Sequence, residues 1–365
     1  MPSVVSSKIP SVKLIMLGEQ GSGKTGATVS LICAGYQVRV LDIDQGQQTL
    51  INLLTNENYP YAKIIRDKGI NLATAYNYIP IDCPMVSRSM EGKEMYGKVL
   101  IPASGNSFSR AIAAIDSWKD KELNLDFGSV NTWDENCVLI IDSLSTLGDY
   151  ALFLVQAMNG RLGAAPTEKT NRMDINSASD QLKRLMLWLH ADSVRCNVVL
   201  ISHIKWVEDS YQKALINQNG GQDQAKTLVP FGCPMTIGTA FASTVGKYTN
   251  NIFNVKKTGS GGNISRKIYT VGLDGIVAKS ATFLKESYPQ DTGLAAIFSA
   301  FRGGIEPDMN YKAPEVKKPP EIKSQVALKT NPTLRRGLPP PSLVHKEKAQ
   351  ELESNVTEIP EKIDG

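Results

Sequence analysis

The chain of 365 residues contains no apolar run near the roughly 18 residues that a membrane-spanning helix needs. Its first residues, MPSVVSSKIP, lack the basic and apolar regions of a signal peptide. Cysteine is scarce and never has the Cys-x-x-Cys spacing of a metal or redox site; the five are Cys33, Cys83, Cys137, Cys196 and Cys233. We therefore expect a cytoplasmic protein that makes no use of a membrane and keeps its thiols free and mostly buried.

A large excess of one charge is also missing, since the net charge of +4 is small for this length. Overall basicity therefore gives no signal of nucleic-acid binding, and the placement of individual lysines and arginines becomes decisive. A hydrophobic content of 42% with 21% charged residues is typical of a globular protein.

Aromatic residues almost disappear after residue 305, where nine of the nineteen prolines lie. This composition predicts a disordered tail over 306–365, which is basic at 312–348 and acidic at 351–365. The tail is either a solubilising linker or a basic arm for nucleic-acid phosphates, with an acidic tip that competes for the same basic surface or docks on a partner. We expect residues 1–11 to be an N-terminal arm and residues 12–305 to be one domain, with 56–105 as an insertion because it shows no dominant period.

The clearest positive signal is the segment GEQGSGKT, a full Gly-x-x-x-x-Gly-Lys-Ser/Thr phosphate loop between an apolar strand and a helix that begins near Gly23. Glycines let the backbone approach phosphates closely, and amide groups at the start of the helix bind the polyanion. Lys24 would reach the β and γ phosphates, and Thr25 would ligate Mg²⁺. The predicted nucleotide-binding residues are Gly18, Glu19, Gln20, Gly21, Ser22, Gly23, Lys24 and Thr25.

Hydrophobic patterning predicts an α/β fold. Short runs of branched apolar residues indicate four buried parallel strands, at 12–17, 38–43, 138–141 and 198–204. Amphipathic patterns indicate helices at 107–118 and 177–191. Further antiparallel strands are expected at 248–257, 265–271 and 276–283. The predicted fold is a doubly wound, mostly parallel phosphate-loop sheet with antiparallel strands at one edge.

Three polar positions come where predicted strands end. Asp142 ends the run VLIID, a Walker B pattern, and would hold the Mg²⁺ shell through water or Thr25. Asp44 follows VRVLDI, where a carboxylate can orient and deprotonate an attacking water. His203 follows VVLIS and can sense the γ-phosphate. The predicted catalytic residues are Lys24, Asp44, Asp142 and His203.

In this order the segments GEQGSGKT, LDIDQGQ, LIIDSLSTL and ISHIK resemble the RecA-like recombinase core over roughly residues 12–283. In size and tail the chain most resembles phage-encoded RecA-like ATPases that promote single-strand annealing and recombination. The resemblance implies a RecA-like sheet, Mg²⁺-dependent ATP hydrolysis, single-stranded DNA binding and a ring or filament of like subunits, in the host cytoplasm if the chain is phage-encoded. It also implies that Asp44 activates water, that His203 senses the γ-phosphate, and that the loops after the Walker B and sensor strands hold DNA.

The sequence departs from the family pattern in three places. The acid is usually Glu, so the shorter Asp44 predicts slow hydrolysis or a requirement for Asp42 or a neighbouring subunit. The sensor pair is usually Asn-Gln, whereas a histidine at 203 predicts a pH-sensitive response if it titrates. The closely spaced lysines that reach the next subunit's nucleotide are not evident; the candidates are Arg266, Lys267 and Lys279.

Two segments combine the features of a DNA-binding loop, at 158–176 and 205–234, with basic residues among glycines or aromatic rings. The predicted DNA-binding residues are Arg161, Lys169, Arg172, Lys205, Trp206, Lys213 and Lys226. Stacking of a base on an aromatic ring is worth about 1–3 kcal/mol and does not depend on sequence. Trp206 and Phe231 are the rings in question, and either one is as well explained by packing within the fold.

The leading hypothesis is an ATP-dependent single-stranded DNA-binding protein that acts in recombination or strand annealing. A helicase or helicase-loading ATPase shares the same core. A nucleotide-gated switch that binds protein through its tail is the third reading. A single-strand-binding or replication protein is the expected partner of that tail. For stacking on the nucleotide base the candidates are Tyr59 and Tyr61.

Overall fold

A computed structural model of the chain describes residues 11–92, 95–120, 123–163, 168–208, 230–260, 263–305 and 307. The predictions for the N-terminal arm, for Lys213 and Lys226, and for the basic and acidic parts of the tail lie outside these residues. Among the described helices, none combines the length and apolar character that crossing a bilayer requires.

The described strands form one large sheet and three small ones. In chain order they are β1 (Lys13–Leu17), β2 (Gln37–Asp42), β3 (Tyr76–Pro80), β4 (Met85–Gly92), β5 (Met95–Pro102), β6 (Trp118–Asp120), β7 (Leu125–Gly128), β8 (Cys137–Asp142), β9 (Asn197–Ser202), β10 (Ile204–Val207), β11 (Phe231–Pro234), β12 (Asn251–Thr258), β13 (Ser265–Tyr269) and β14 (Ser287–Pro289).

The described helices alternate with these strands. They are α1 (Lys24–Ala27), α2 (Val29–Cys33), α3 (Gln47–Thr55), α4 (Pro60–Asp67), α5 (Leu72–Ala75), α6 (Ser107–Asp116), α7 (Leu144–Met158), α8 (Glu168–Leu189), α9 (Thr239–Thr244) and α10 (Gln290–Phe301), with short 3-10 helices at Val130–Thr132 and Val245–Tyr248.

The large sheet has the order β14-β13-β12-β1-β9-β8-β2-β3. The strands from β12 to β3 are parallel, whereas β13 and β14 run antiparallel at one edge. Alternate side chains of a strand point to opposite sides of the sheet, so these apolar strands give it two apolar faces. Helices cover both faces. In β1, Ile15 and Leu17 belong to the core that α6, α7 and α8 cover, and Leu14 and Met16 belong to the core under α2, α3 and α10. The predicted doubly wound, mostly parallel fold is confirmed.

Local patterning was wrong about three elements. Strand β12 has the predicted antiparallel pairing with β13, but on its other side it pairs in parallel with β1, since strand order depends on where the chain returns to the sheet. Residues 276–283 were predicted to be a strand, yet Ile276 and Lys279 form only isolated bridges. The antiparallel edge is completed instead by β14. Helix α8 begins at Glu168, well before the predicted start at 177. The hydrophobic pattern missed its first two turns because they carry few apolar residues.

The stretch 56–105, predicted as an insertion, divides in two. Its middle part supplies β3, which pairs with β2 at the edge of the large sheet. Its last part, β4 and β5, forms a separate antiparallel hairpin. The hairpin is thus the portion of the stretch that forms its own sheet.

Candidate nucleotide-binding site

The carboxyl ends of four neighbouring strands meet at one edge of the large sheet. These strands are β1, β9, β8 and β2, and β9 separates the phosphate-loop strand from the Walker B strand. In open α/β sheets, ligands bind in the crevice beyond these strand ends. The loops that follow β1, β2, β8 and β9 therefore define the candidate site.

The phosphate loop connects β1 to α1 with a backbone that needs glycine. Gly21 and Gly23 have φ angles of 72° and 98°, which a residue with a side chain adopts only at a cost. Lys24 follows directly and is only 7% exposed. Its Nζ atom donates hydrogen bonds to the carbonyl oxygens of Gly18 and Glu19, at 2.8 and 2.9 Å. Burial lowers the pKa of the Lys24 ammonium, and the negative charge of nearby acids opposes that shift.

Thr25 and Asp142 form a pair of oxygens at the base of the loop. The Thr25 hydroxyl donates a 2.6 Å hydrogen bond to Oδ2 of Asp142, which is 4% exposed at the end of β8. Mg²⁺ prefers oxygen ligands and is usually held by one or two protein groups together with substrate phosphates. In the described part of the chain, no cluster of three or more His, Cys, Asp and Glu side chains forms a metal site made by protein alone. A hydroxyl and a carboxylate beside a phosphate loop therefore fit Mg²⁺ bound together with a nucleotide.

Asp44 lies at the end of the strand next to β8 and is held from two sides. The Thr146 hydroxyl, in the first turn of α7, donates a 2.5 Å hydrogen bond to Oδ1 of Asp44. His203 Nε2 lies 3.6 Å from Oδ2 of the same carboxylate. Burial raises the pKa of Asp44, but hydrogen bonds from His203 and Thr146 outweigh it and leave the pKa below its ordinary value. Asp44 is therefore a carboxylate at neutral pH, oriented towards the cleft.

Asp42, the alternative acid, has a structural environment. It is 1% exposed, and its Oδ1 accepts a 2.8 Å hydrogen bond from the Gly46 amide. Burial raises its pKa, and amide hydrogen bonds from Gly46 and Gln47 offset part of the rise. Asp42 does not line the cleft that Asp44 and Asp142 line. Its contacts fix the turn after β2, which aims Asp44.

Ser202, next to His203, fixes the backbone of the sensor segment. It is fully buried and contacts Ser145 Oγ at 3.2 Å. Its own hydroxyl donates to the carbonyl oxygen of Met235 at 3.0 Å. The amide of His203 donates to Ser145 Oγ at 3.0 Å. Of the predicted sensor pair, His203 therefore faces Asp44 while Ser202 positions it.

A cleft of about 730 Å³ joins these groups. Its lining includes Lys24, Asp142, Asp44 and His203. It also includes Tyr59 and Tyr61, the two predicted base-stacking candidates, together with Gly26, Leu53 and Gln290. The cleft therefore contains a cation and backbone amides for phosphates and aromatic rings for a base.

The predicted DNA-binding residues do not share one environment. Arg161 forms an ion pair with the buried Asp174, which uses its charge within the fold. Lys169 and Arg172 belong to helix α8, so the predicted loop at 158–176 is helical from Glu168 onward, and the side chain of Lys169 lies outside the described part. Lys205 and Trp206 lie on β10, directly after His203, and Trp206 is 49% exposed.

The intersubunit candidates also separate. Arg266 on β13 lines the cleft of its own chain. Lys267 and Lys279 are exposed and lie outside that lining. Their predicted contact with a neighbouring subunit stays a prediction.

Two residues of the site escape local sequence patterns. Thr146 lies 102 residues from Asp44, and Gln290 lies 267 residues from Gly23, to whose carbonyl oxygen it donates a 2.8 Å hydrogen bond. Thr146 stands within the quoted segment LIIDSLSTL, where a hydroxyl one helical turn beyond Ser143 could have indicated it. No signal near Gln290 points to the phosphate loop.

Asp142→Asn is expected to stabilise the nucleotide-free protein at high pH. Burial, which the hydrogen bond from Thr25 partly opposes, raises the pKa of Asp142 from 3.8 to about 6. Because the folded chain holds this proton more tightly than the unfolded chain, stability is lost as the pH rises from about 4 to 6, and the full cost is present above pH 6. The variant should raise the free energy of unfolding at pH 8 by up to about 3 kcal/mol, as the shift in pKa implies. The gain should shrink as the pH falls from 6 towards 4.

Thermal unfolding at pH 8 and pH 5, without nucleotide or Mg²⁺, measures this effect. Asp192→Asn, at an exposed position after α8, is the matched control. A gain at pH 5 that equals the gain at pH 8 would show that the buried charge is not its source.

No protein-family model and no curated protein sequence matches this chain. Solved structures of similar fold include the RadB recombinase, with 14% identity, a TM-score of 0.37 and coverage of 78% of this chain and 90% of that one. The flagellar accessory protein FlaH from Methanocaldococcus jannaschii has 11% identity, a TM-score of 0.32 and coverage of 78% and 89%. A KaiC-like protein from Pyrococcus horikoshii has 12% identity, a TM-score of 0.34 and coverage of 77% and 88%. All three are distant from this chain in sequence and in structure.

Proposed function

We propose that the chain is a Mg²⁺-dependent ATPase that binds single-stranded DNA in an ATP-dependent manner, as an oligomer, in recombination or strand annealing. The observation that supports it most is the convergence in one cleft of the phosphate loop, the Thr25–Asp142 oxygen pair, and Asp44 with its histidine. Phosphoryl transfer needs few other protein groups, because positioning and charge stabilisation provide most of the catalysis.

Each residue has a distinct task in this proposal. Backbone amides of the loop and Lys24 bind the phosphates, and Thr25 with Asp142 would hold Mg²⁺, which neutralises charge on the phosphate oxygens when bound. Asp44 accepts a proton from the attacking water, and Thr146 keeps its carboxylate oriented. His203 senses whether the γ-phosphate is present and transmits the change to β10, the strand that follows it.

The DNA-binding part of the proposal is supported by the hairpin that leaves the site. Strand β10 starts one residue after His203 and pairs with β11, so Lys205 and Trp206 stand on a hairpin rooted at the sensor. The amide of Met235, just after β11, donates a 2.8 Å hydrogen bond to the carbonyl oxygen of His203. A change in how His203 meets Asp44 would therefore reach both ends of the hairpin, which couples nucleotide state to DNA contact.

ATP turnover with and without single-stranded DNA, over a range of protein concentrations, tests the proposal. Turnover that DNA stimulates, increasingly at higher protein concentration, is the expected result. Turnover that ignores both variables would favour the nucleotide-gated switch. Unwinding of a forked duplex by the purified chain would favour the helicase, whereas annealing of complementary strands without unwinding supports the proposal.

Lys205→Ala combined with Trp206→Ala is expected to weaken single-stranded DNA binding at least about tenfold, since loss of one stacking ring removes about 1–3 kcal/mol and loss of a lysine removes a phosphate contact. ATP affinity should stay at the parental value, because neither side chain lines the cleft. Fluorescence anisotropy of a labelled oligonucleotide in about 0.1 M salt measures the effect.

The control replaces an aromatic and a lysine elsewhere, both more exposed than Trp206 and Lys205, with Phe283→Ala and Lys285→Ala. It should bind DNA like the parent. Parental affinity in the Lys205/Trp206 variant would remove this hairpin from the DNA-binding surface.

A further inference from the structure

We propose that Arg266 binds the non-transferred phosphates of the nucleotide held by its own chain. This role deepens the proposed ATP-binding function and depends on it. It differs from the intersubunit role that the sequence suggests, in which the same side chain would reach the nucleotide of a neighbour.

The side chain of Arg266 is packed against the phosphate loop of its own chain. Arg266 lies on β13, opposite Lys257 of β12. The Arg266 Cδ atom is 2.7 Å from the position that a Cβ on Gly23 would occupy. Bare backbone at Gly23 is therefore what admits this arginine, in addition to what its φ of 98° requires.

The guanidinium has unmet hydrogen-bonding capacity at the cleft. Arg266 lines the cleft together with Lys24 and Thr25. Its Nε atom is shielded from solvent, and among the described residues it has no hydrogen-bond partner. A guanidinium carries five donors and no acceptor, and a shielded N–H without a partner is unfavourable. Phosphate oxygens are the acceptors that match its planar donor geometry.

Strand order places Arg266 on the side of the loop opposite the catalytic acid. The side chains at the γ-phosphate end come from β9, β8 and β2, which lie on one side of β1. Strand β13 lies beyond β12, on the other side. Since Asp44 and His203 mark where the transferred phosphate meets water, an arginine on the far flank faces the α and β phosphates.

Neighbours of Arg266 continue towards the nucleoside end of the cleft. Gln290, beside Arg266 at Gly23, also lies 2.7 Å from the position a Cβ on Gly26 would take. Burial of the Tyr61 hydroxyl raises its pKa, and the negative charge of the next residue, Asp291, raises it further, so Asp291 lies near Tyr61. The flank therefore runs from the loop to a base-stacking candidate, as expected if Arg266 contacts phosphates that remain attached to the nucleoside.

Arg266→Ala and Arg266→Lys separate this role from a catalytic one. Arg266→Ala is expected to weaken ATP and ADP binding by the same factor, about tenfold or more, because one charge-assisted contact is lost in both complexes. KM should rise and kcat should stay near the parental value, since the contact is equally present in the ground and transition states. Arg266→Lys, which keeps the charge but not the planar fork, should lose less. Lys257→Ala, at the cross-strand neighbour, is the matched control and should bind both nucleotides like the parent.

Mixing Arg266→Ala, which is impaired only at low ATP, with Lys24→Ala, which binds ATP poorly, tests whether Arg266 acts within its own subunit. A mixture of Arg266→Ala with Lys24→Ala should show no more turnover at low ATP than the sum of the separate proteins. Recovered turnover would mean that Arg266 serves a neighbour's site and would overturn the proposal. So would unchanged ADP affinity in Arg266→Ala, whether or not kcat falls. If the parent itself binds neither ATP nor ADP, the proposed ATPase function fails, an outcome distinct from failure of Arg266 alone.

Discussion

Lys24→Ala is expected to weaken ATP binding by at least about a hundredfold, the largest loss of affinity that any single change in this chain should cause. Hydrogen bonds to charged groups contribute about 1.5–3 kcal/mol each, and Lys24 would make them to both the β and the γ phosphate. Its ammonium already stands inside the loop, held at 2.8 and 2.9 Å by the carbonyl oxygens of Gly18 and Glu19. A nucleotide therefore meets a positive charge that is already at the loop, and the ammonium exchanges carbonyl partners for phosphate oxygens. Calorimetric titration with ATP and Mg²⁺ measures the change.

The control for Lys24→Ala is Lys63→Ala, at an exposed position on α4. It should bind ATP like the parent. Unfolding curves of both variants establish that a loss of binding is not a loss of fold. Near-parental ATP affinity in Lys24→Ala would exclude GEQGSGKT as the nucleotide-binding loop.

Asp44→Asn is expected to lower kcat by about 10²–10⁴-fold, the range that loss of a positioned acid or base produces, while ATP affinity stays close to the parental value. The amide can keep the hydrogen bond from Thr146, but it cannot take a proton from water. Hydrogen bonds that hold the pKa of Asp44 low also make it a weak base, which agrees with the slow hydrolysis expected of a shortened acid. Single-turnover hydrolysis with protein in excess isolates this step from product release.

Two companions make the Asp44 result specific. Asp44→Glu restores a carboxylate and should keep more activity than Asp44→Asn. Asp67→Asn, at an exposed position at the end of α4, should hydrolyse ATP like the parent. Full turnover in Asp44→Asn would move the base to another group.

Features encoded in contiguous residues could be predicted from the sequence, whereas those that depend on strand order could not. The phosphate loop, Asp142 and His203 each follow a run of apolar residues that is a strand by itself, so their positions at one sheet edge follow from parallel pairing. That Arg266 packs on Gly23 could not be predicted, because β13 comes beside the loop only through β12, whose parallel pairing local patterns missed. The segment 276–283 misled for the opposite reason, since apolar residues there pack on the core without forming a ladder.

Because the base of the β10–β11 hairpin is closed by its own hydrogen bonds, the segment that connects its two strands can be replaced by another. Four residue pairs from Ile204–Pro234 to Val207–Phe231, with the His203–Met235 hydrogen bond below them, seal the ends of the connecting segment against each other. Once the ends of a loop are fixed, doubling its length costs only about 0.6 kcal/mol. A different segment could therefore be grafted between Val207 and Phe231 without disturbing the cleft. The fold can in this way present new binding chemistry to the same nucleotide-dependent base, in natural variation or by engineering.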